Sequence, residues 1–368
     1  MRYKWLTGIG AVVAVSVAAF AFALARNAPC GAAPALPADA VPMRAAVHRC
    51  YGGPDVIRIE AIAPPPLAPD RMLVRVQAAA MNPLDKHYLH GTPYLLRLSA
   101  GLGRPGDSRM GVDFAGTVEA VGSDVTRFKP GDVVFGGADG AFGEFVSVRE
   151  GGSIARVPAG VAPEQAASLP IAAVTALQAL RDHGRLAPGQ RVLVNGASGG
   201  VGHFAVQLAK GMGAHVTGVC STRNVGMVRA LGADVVIDYT REDFTAGAQR
   251  YDLIIDSIGN HPRSALRRVL TDDGAHVQVG QSGMGHWIDP LLGPLGALLW
   301  SQFTSQRWEF MLARIDAGDL AYLAQQVAAG KLRAVIDRRY PLAELPAAMR
   351  YLETGRVRGK LLIDPAAP

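Results

Sequence analysis

The chain has 368 residues, 49% of them hydrophobic and 18% charged, which suits a globular protein of about two domains. Lys and Arg outnumber Asp and Glu by 37 to 31, giving a formal net charge of +6. The basic side chains are scattered, so the sequence predicts no nucleic-acid partner, and the mild charge suits an anionic cofactor. Cys30, Cys50 and Cys220 stand far apart without a Cys-x-x-Cys pair, so they predict neither a disulfide framework nor a zinc site.

The amino-terminal residues 1–42 predict a hydrophobic helix followed by a linker. Trp5 to Ala25 carries no charge and is long enough to span a bilayer, so we predict an uncleaved single-pass membrane anchor. A cleaved signal peptide is the alternative, because Ala23-Leu24-Ala25 resembles a small-x-small cleavage site. Asn27 to Pro42 is rich in Ala and Pro, which is typical of a semi-extended linker.

Residues 43–165 predict a β-rich domain. Short extended segments alternate with turns rich in Gly and Pro, as at Lys129-Pro130-Gly131-Asp132. Many short strands with this punctuation are typical of a compact β domain. The predicted strands include Met43–His48, Met72–Ala80, Gly111–Val121, Val133–Gly136 and Phe142–Val148.

Residues 166–324 predict a doubly wound parallel sheet, because helical and strand patterns alternate from Ala166 onward. Within this part, the apolar segment Trp287–Phe303 is interrupted by Pro and Gly, so we predict a buried or interfacial segment rather than a second membrane span. Residues from about 325 to 368 are predicted to complete the first domain. The predicted strands of the parallel sheet are Arg191–Asn195, His215–Cys220, Val235–Asp238, Leu253–Ser257 and Ala275–Val279.

A glycine-rich turn follows the first of these strands and leads directly into an apolar-faced helix, His203–Met212. Glycines at every third position allow a tight turn, let backbone N–H groups approach a pyrophosphate, and place it at a helix amino terminus. The pattern therefore predicts dinucleotide binding, with an ordinary glycine-rich turn as the alternative. The predicted contacts are Gly196, Ala197, Ser198, Gly199, Gly200, Val201 and Gly202.

The residues after the second parallel strand predict the nucleotide. This position carries an Asp or Glu in NAD-binding folds, but the chain reads Ser221-Thr222-Arg223-Asn224 after Cys220. Hydroxyls and a guanidinium suit a 2′-phosphate, so we predict NADPH; a helix N-cap with a solvated Arg is the alternative. Further predicted cofactor contacts are Thr175, Tyr239, Gly259, Val279, Gly280 and Lys360.

Seven short motifs in one order resemble those of zinc-free medium-chain dehydrogenases/reductases of the quinone-oxidoreductase type. The resemblance runs from Met43 to the end of the chain. It implies a GroES-like β-rich catalytic domain, a Rossmann domain inserted in it, an active site in the cleft between them, and a homodimer. The motifs are Ala80-Met81-Asn82-Pro83-Leu84-Asp85, Gly111-Val112-Asp113-Phe114-Ala115-Gly116, Lys129-Pro130-Gly131-Asp132-Val133-Val134, Leu169-Pro170 with Thr175-Ala176, the glycine turn, Leu231-Gly232-Ala233-Asp234, and Gly359-Lys360.

The same resemblance predicts that no metal is bound. Zinc-dependent relatives carry Cys at the position of Asn82 and Gly-His-Glu where this chain reads Gly111-Val112-Asp113. Val112 has no donor atom, and a catalytic zinc needs about three protein ligands.

The resemblance implies NADPH-dependent reduction of quinones or other α,β-unsaturated carbonyls. Hydride comes from the nicotinamide, and the product oxygen takes a proton or hydrogen bond. Asn82 resembles the residue that faces nicotinamide and substrate, and Thr175 the one beside the ring. Tyr88 and Tyr94 are candidate proton donors, with packed aromatics as the structural alternative.

Two other functions stay open at this point. One is an enoyl-thioester or alcohol/aldehyde oxidoreductase of the same superfamily, and the other is a non-catalytic NADPH-binding redox sensor or assembly partner. The side of the membrane is open as well. Arg2 and Lys4 before the apolar run favour an exported enzyme, whereas its need for NADPH favours the cytoplasm.

Overall fold

The computed structural model describes residues 15–38, 41–280, 285–287, 296 and 304–367. The strands within these ranges are β1 (Met43–His48), β2 (Ile57–Ile62), β3 (Arg71–Ala80), β4 (Asp113–Val121), β5 (Val133–Gly137), β6 (Phe145–Arg149), β7 (Ile154–Arg156), β8 (Arg191–Asn195), β9 (His215–Cys220), β10 (Val235–Asp238), β11 (Tyr251–Asp256), β12 (Leu270–Gln278), β13 (Arg307–Phe310), β14 (Ile336–Pro341) and β15 (Lys360–Asp364). Residues 15–25 are helical, and the α-helices named after them are α1 (Pro83–His90), α2 (Arg97–Ala100), α3 (Pro163–Ala167), α4 (Pro170–Gln178), α5 (Gly202–Gly211), α6 (Val225–Ala230), α7 (Arg263–Val269), α8 (Ala317–Ala328) and α9 (Leu345–Glu353).

The first large sheet has the order β14-β15-β3-β4-β5-β7, with β6 also paired to β3. In β6 and most of β3, buried residues alternate with more exposed ones, and buried side chains of this sheet such as Val74, Phe114 and Ile363 form a core. The carboxy-terminal β15 pairs antiparallel with β3, Leu362 opposite Ala80. The end of the chain therefore lies beside the residues that precede Asn82.

The second large sheet is parallel, in the order β10-β9-β8-β11-β12-β13. Chain order reverses at β8, which has β9 on one side and β11 on the other. In open α/β sheets, ligands bind at such a switch point, at the carboxyl ends of the strands. The predicted α/β architecture with a parallel sheet is confirmed; the predicted limits near residues 165 and 324 stay a prediction.

The predicted membrane anchor is wrong. Residues 15–25 are helical, residues 1–14 lie outside the described ranges, and no helix in the described part is long and apolar enough to cross a bilayer. Leu24, inside the predicted span, is already buried against the folded chain. Of the segment Trp287–Phe303, only residues 287 and 296 are described, so the prediction made for it lies almost wholly outside the described residues.

The expectation about the cysteines also needs correction. Cys30 and Cys50 form a disulfide with their Cα atoms 4.4 Å apart, and Cys220 is buried and free. The spacing of the cysteines did not predict this disulfide, because the pairing depends on how residues 27–31 fold back onto the segment after β1.

Candidate active site

The glycine turn joins β8 to α5 at the switch point. Gly196 has φ +86°, in the left-handed region that favours glycine. A Cβ on Gly202 would lie 2.1 Å from the Gly196 carbonyl oxygen, so the helix starts closer to the strand than any side chain allows. Two of the three predicted glycines, Gly196 and Gly202, are therefore required for steric reasons.

The surroundings of the turn fit a dinucleotide. A Cβ on Gly199 or Gly200 would meet only carbonyl oxygens at 3.4 and 3.6 Å and the Lys360 side chain at 3.9 Å, so this side of the turn is open. Among the described residues, the buried atoms Ser257 Oγ and Asn224 Oδ1 have no hydrogen-bond partner. Buried polar atoms are normally satisfied, and the hydroxyls and phosphates of a dinucleotide would satisfy these.

Asn224 connects the turn to the end of β9. Its Nδ2 donates to Ser198 Oγ at 3.0 Å and to Ser221 Oγ at 3.3 Å. Thr222 donates to Asp238 Oδ2 at 2.6 Å, and this hydrogen bond lowers the pKa of Asp238. Ser198, Ser221, Thr222 and Asn224 are thus brought together.

Arg223 contacts the carboxy-terminal segment at this end of the site. It is exposed and donates to the carbonyl oxygen of Arg356. Burial and Asp337 raise the pKa of Tyr351 in that segment, and the charges of Arg338 and Arg223 oppose the shift. The sequence did not predict this contact between segments 133 residues apart.

Asn82, Asp113 and Lys360 form a buried cluster that we call the latch. Lys360 Nζ donates to Asn82 Oδ1 at 2.6 Å and lies 3.5 Å from Asp113 Oδ2, while Asn82 Nδ2 donates to Asp113 Oδ2 at 2.9 Å. All three are at most 2% exposed. The second Asn82 amide hydrogen reaches the carbonyl of Ala80 at 3.3 Å, so this side chain is fully engaged inside the protein.

Burial acts against both charges of the latch. It raises the pKa of Asp113 and lowers that of Lys360, and the attraction between the two opposes each shift. Asp85 lies beside them and accepts from the Asn82 backbone N–H at 2.7 Å. Burial, together with the nearby Asp113, raises the pKa of Asp85 to about 7.

The latch also fixes helix α4 and the turn. The Ile171 N–H donates to both Asp113 carboxylate oxygens at 3.3 Å, and Thr175 Oγ1 donates to the Ile171 carbonyl at 2.6 Å. On the other side, the Gly359 N–H donates to the Ser198 carbonyl at 2.9 Å. Asn82, Thr175 and the glycine turn, which the sequence predicted separately, are thereby connected through Asp113 and Lys360.

The two predicted tyrosine donors lie apart from the latch. Tyr88 is on α1, which begins after Asn82, and is 36% exposed. Tyr94 packs edge-on against Trp287, with ring centroids 4.7 Å apart. Within the described residues, neither hydroxyl hydrogen-bonds to Asn82 or Thr175.

The other predicted cofactor residues lie at the carboxyl ends of the parallel strands. Asp256, at the end of β11, accepts from Asn195 Nδ2 at 2.9 Å and from the Gly259 N–H at 2.8 Å. It is 1% exposed, and it therefore shapes the loop that carries Gly259. Val279 and Gly280 follow β12, whereas Tyr239, after β10, is 57% exposed. The sequence analysis did not identify Asp256 as a site residue, although an acidic residue at the end of a buried strand could have indicated one.

Two family models match the chain: Alcohol dehydrogenase GroES-like domain over residues 68–159, and Zinc-binding dehydrogenase over residues 231–363. Trans-enoyl reductase pgmF from Aspergillus terreus is 36% identical over 322 residues, covering 81% of this chain and 87% of that protein. The chloroplastic quinone-oxidoreductase homolog of Spinacia oleracea is 32% identical over 331 residues, covering 85% and 95%. The solved quinone oxidoreductase from Coxiella burnetii superposes with a TM-score of 0.78 at 33% identity, covering 88% and 99%.

A GroES-like unit beside a Rossmann unit with an open glycine turn defines an oxidoreductase that uses a nicotinamide cofactor. The chain belongs to the medium-chain dehydrogenase/reductase family, in its quinone-oxidoreductase-like branch. The predicted family and the predicted enzyme class are confirmed. The homodimer stays a prediction.

One matching family is named for zinc, but these residues do not fit that metal. Val112 offers no donor atom, and the Asn82 amide oxygen is taken by the Lys360 ammonium. A cation from the protein thus already occupies the neighbourhood of Asn82 and Asp113.

Proposed function

We propose that the protein reduces quinones or other α,β-unsaturated carbonyls with NADPH, in the cleft between the glycine turn and the latch. The observation that carries this proposal is the latch itself. Through Lys360 and Asp113 it holds Asn82 and Thr175 next to an open turn that suits a dinucleotide. A hydride donor and an acceptor bound on the two sides would face each other.

NADPH is proposed over NADH because of Arg223. It lies three residues after the end of the second parallel strand, and it also donates to the Arg356 carbonyl oxygen of the carboxy-terminal segment. A guanidinium pairs well with a phosphate, whereas Asp238, the nearest acid, is already bonded to Thr222.

Bound NADPH would supply the hydride, and the protein must then stabilise the product oxygen. The Asn82 amide is fully engaged, so its proposed role is to orient the site rather than to donate a proton. As the proton donor we propose Tyr88, which lies on the helix that begins directly after Asn82. A Tyr88→Phe variant should lose kcat and keep its affinity for NADPH.

A second candidate is the reduction of enoyl thioesters, favoured by the trans-enoyl reductase among the relatives. Both reactions add hydride to an electron-poor alkene carbon, so the same cleft serves either one. The two reactions differ in the size of the acceptor and in its thioester group, so a choice of acceptors can distinguish them.

The test is consumption of NADPH and NADH by the purified protein with quinones, enones, trans-enoyl thioesters and aldehydes. Quinone or enone reduction with a preference for NADPH is expected. Turnover of enoyl thioesters alone would establish the second candidate. Binding of NADPH without turnover of any acceptor would contradict both and favour a sensor or assembly role.

A further inference from the structure

The side chain of Arg97 is a buried cation without an acidic partner among the described residues. It is 1% exposed and remains charged, as guanidinium groups do in proteins. Its N–H groups are satisfied by neutral oxygens, three of which belong to the amino-terminal segment. Nε donates to Gly91 O at 2.7 Å, Nη1 to Leu24 O at 2.9 Å and Arg26 O at 3.2 Å, and Nη2 to Asn27 Oδ1 at 2.9 Å and His90 O at 3.4 Å.

Two tyrosine rings enclose the same guanidinium. Its Cζ lies 4.4 Å from the Tyr51 ring centroid and 4.8 Å from that of Tyr94, both within cation–π range. Tyr94 in turn donates its backbone N–H to His286 O at 2.8 Å and packs on Trp287. Arg97 therefore connects the amino-terminal segment to Tyr94, and through it to the segment that follows β12.

A disulfide closes this set of contacts into a ring. We call residues 24–31 the strap and residues 91–104 the wall loop. The strap bonds to the wall loop from Ala28 N to Gly103 O at 2.8 Å, and Cys30 is then joined to Cys50, the residue before Tyr51. The Tyr51 hydroxyl donates to Gly101 O at 2.7 Å, so the carboxy-terminal end of the wall loop is held at two points.

Arg97 donates to His90 O and Gly91 O at the carboxyl end of α1, the helix that begins after Asn82 and carries Tyr88. We propose that the strap, closed by the Cys30–Cys50 disulfide, holds the wall loop and the end of α1 through Arg97, which makes Arg97 a positioning residue for the acceptor substrate. The part that concerns substrate rests on the proposed function; the part that concerns the wall loop does not. Cys30 is exposed, so a reductant can reach the bond. A phosphine gives two electrons to the S–S bond and becomes a phosphine oxide with the oxygen of water, whose two protons complete the two thiols. The strap then loses its covalent closure.

The test compares the oxidised full chain with the same protein treated with a water-soluble phosphine, the two new thiols being counted by alkylation and mass. Amide exchange in residues 91–104 should rise about tenfold on reduction, as for a segment that opens locally. The KM for a quinone should rise about fivefold, with the Kd for NADPH unchanged, because acceptor positioning is lost and cofactor binding is not.

Matched variants separate the disulfide from general damage. Cys30→Ser/Cys50→Ser should behave like the reduced protein and no longer respond to the phosphine, although Cys220 is still present. Arg97→Lys keeps the charge but loses the planar fork, and should raise KM more than it lowers kcat. If the Arg97→Lys variant fails to fold, the Asn27→Ala variant is used instead, because it removes one of the oxygen atoms that accept a hydrogen bond from Arg97.

If amide exchange in residues 91–104 is unchanged although two thiols are present, the strap does not hold the wall loop. Faster exchange with an unchanged KM would overturn the positioning role of Arg97. If no acceptor is turned over, the proposed function fails, and exchange alone decides whether the strap holds the wall loop.

Discussion

The glycine turn and the latch are connected through Gly359 and Lys360 but are built in opposite ways. The turn is contiguous: β8, Gly196–Gly202 and α5 all lie within residues 191–211. The latch joins side chains as far apart as Asn82 and Lys360, 278 positions away in the sequence. The glycine turn is therefore a local property of one segment, whereas the latch depends on contacts between distant segments.

The largest effect is expected from Lys360→Met, which breaks the latch. Asp113 would stay buried without its cation, and removing one partner of a buried pair costs about 3–5 kcal/mol. The free energy of unfolding, measured with urea, should fall by an amount in this range.

A double variant tests whether charge is the cause. Lys360→Met/Asp113→Asn leaves no buried charge at this pair, and an Asn can still accept from Asn82. It should recover much of the lost stability, and Lys331→Met, at an exposed lysine, should cost nothing. If the double variant is no more stable than the single one, packing rather than charge explains the loss.

The second prediction concerns pH and Asp85, beside the latch. Its folded pKa of about 7 lies above its ordinary 3.8, so the folded protein binds this proton more tightly. The stability it contributes is fully present below about pH 4 and is lost as the pH rises through 7, by up to about 1.4 kcal/mol per pH unit. Asp85→Asn should flatten urea-unfolding profiles in that window.

The control for this effect is Asp273→Asn, which removes an exposed carboxylate. Its profile should match that of the unmodified protein. Parallel profiles for Asp85→Asn and the unmodified protein would show that another group sets the pH dependence.

The sequence predicted the turn and missed the latch for one physical reason. Gly196 and Gly202 are required by local backbone geometry, which spacing reveals. That Lys360 bonds to Asn82, or Arg97 to the carbonyl of Leu24, depends on contacts between distant segments, and neither residue type nor spacing encodes the partner.

The errors at the amino terminus have the same origin. Hydropathy predicted an anchor ending at Ala25, but Leu24 is buried and its carbonyl is held by Arg97. The strap that follows was read as a linker because Ala and Pro show no periodicity. Only the folded chain brings Cys30 to Cys50.

The third prediction returns to the turn. Gly202→Ala places a methyl group 2.1 Å from the Gly196 carbonyl oxygen, so α5 must move away from β8. Overpacking of this kind costs about 1–3 kcal/mol, and the Kd for NADPH should rise with it. Gly211→Ala, in the same helix with open space around it, should leave the Kd unchanged. Equal effects of the two variants would remove the steric explanation.

The smallest effect is expected at the outer end of the turn region, from Arg223→Ala. This side chain is exposed, so its pairing with a 2′-phosphate is screened by water, and we expect the KM for NADPH to rise about tenfold, or ~1.4 kcal/mol. The KM for NADH should hardly change, because NADH lacks that phosphate. Arg229→Ala, an exposed arginine on α6, is the matched control. An equal rise for both nucleotides would show that Arg223 supports the fold near Arg356 instead of selecting NADPH, and that cofactor choice depends, like the latch, on residues distant in the sequence.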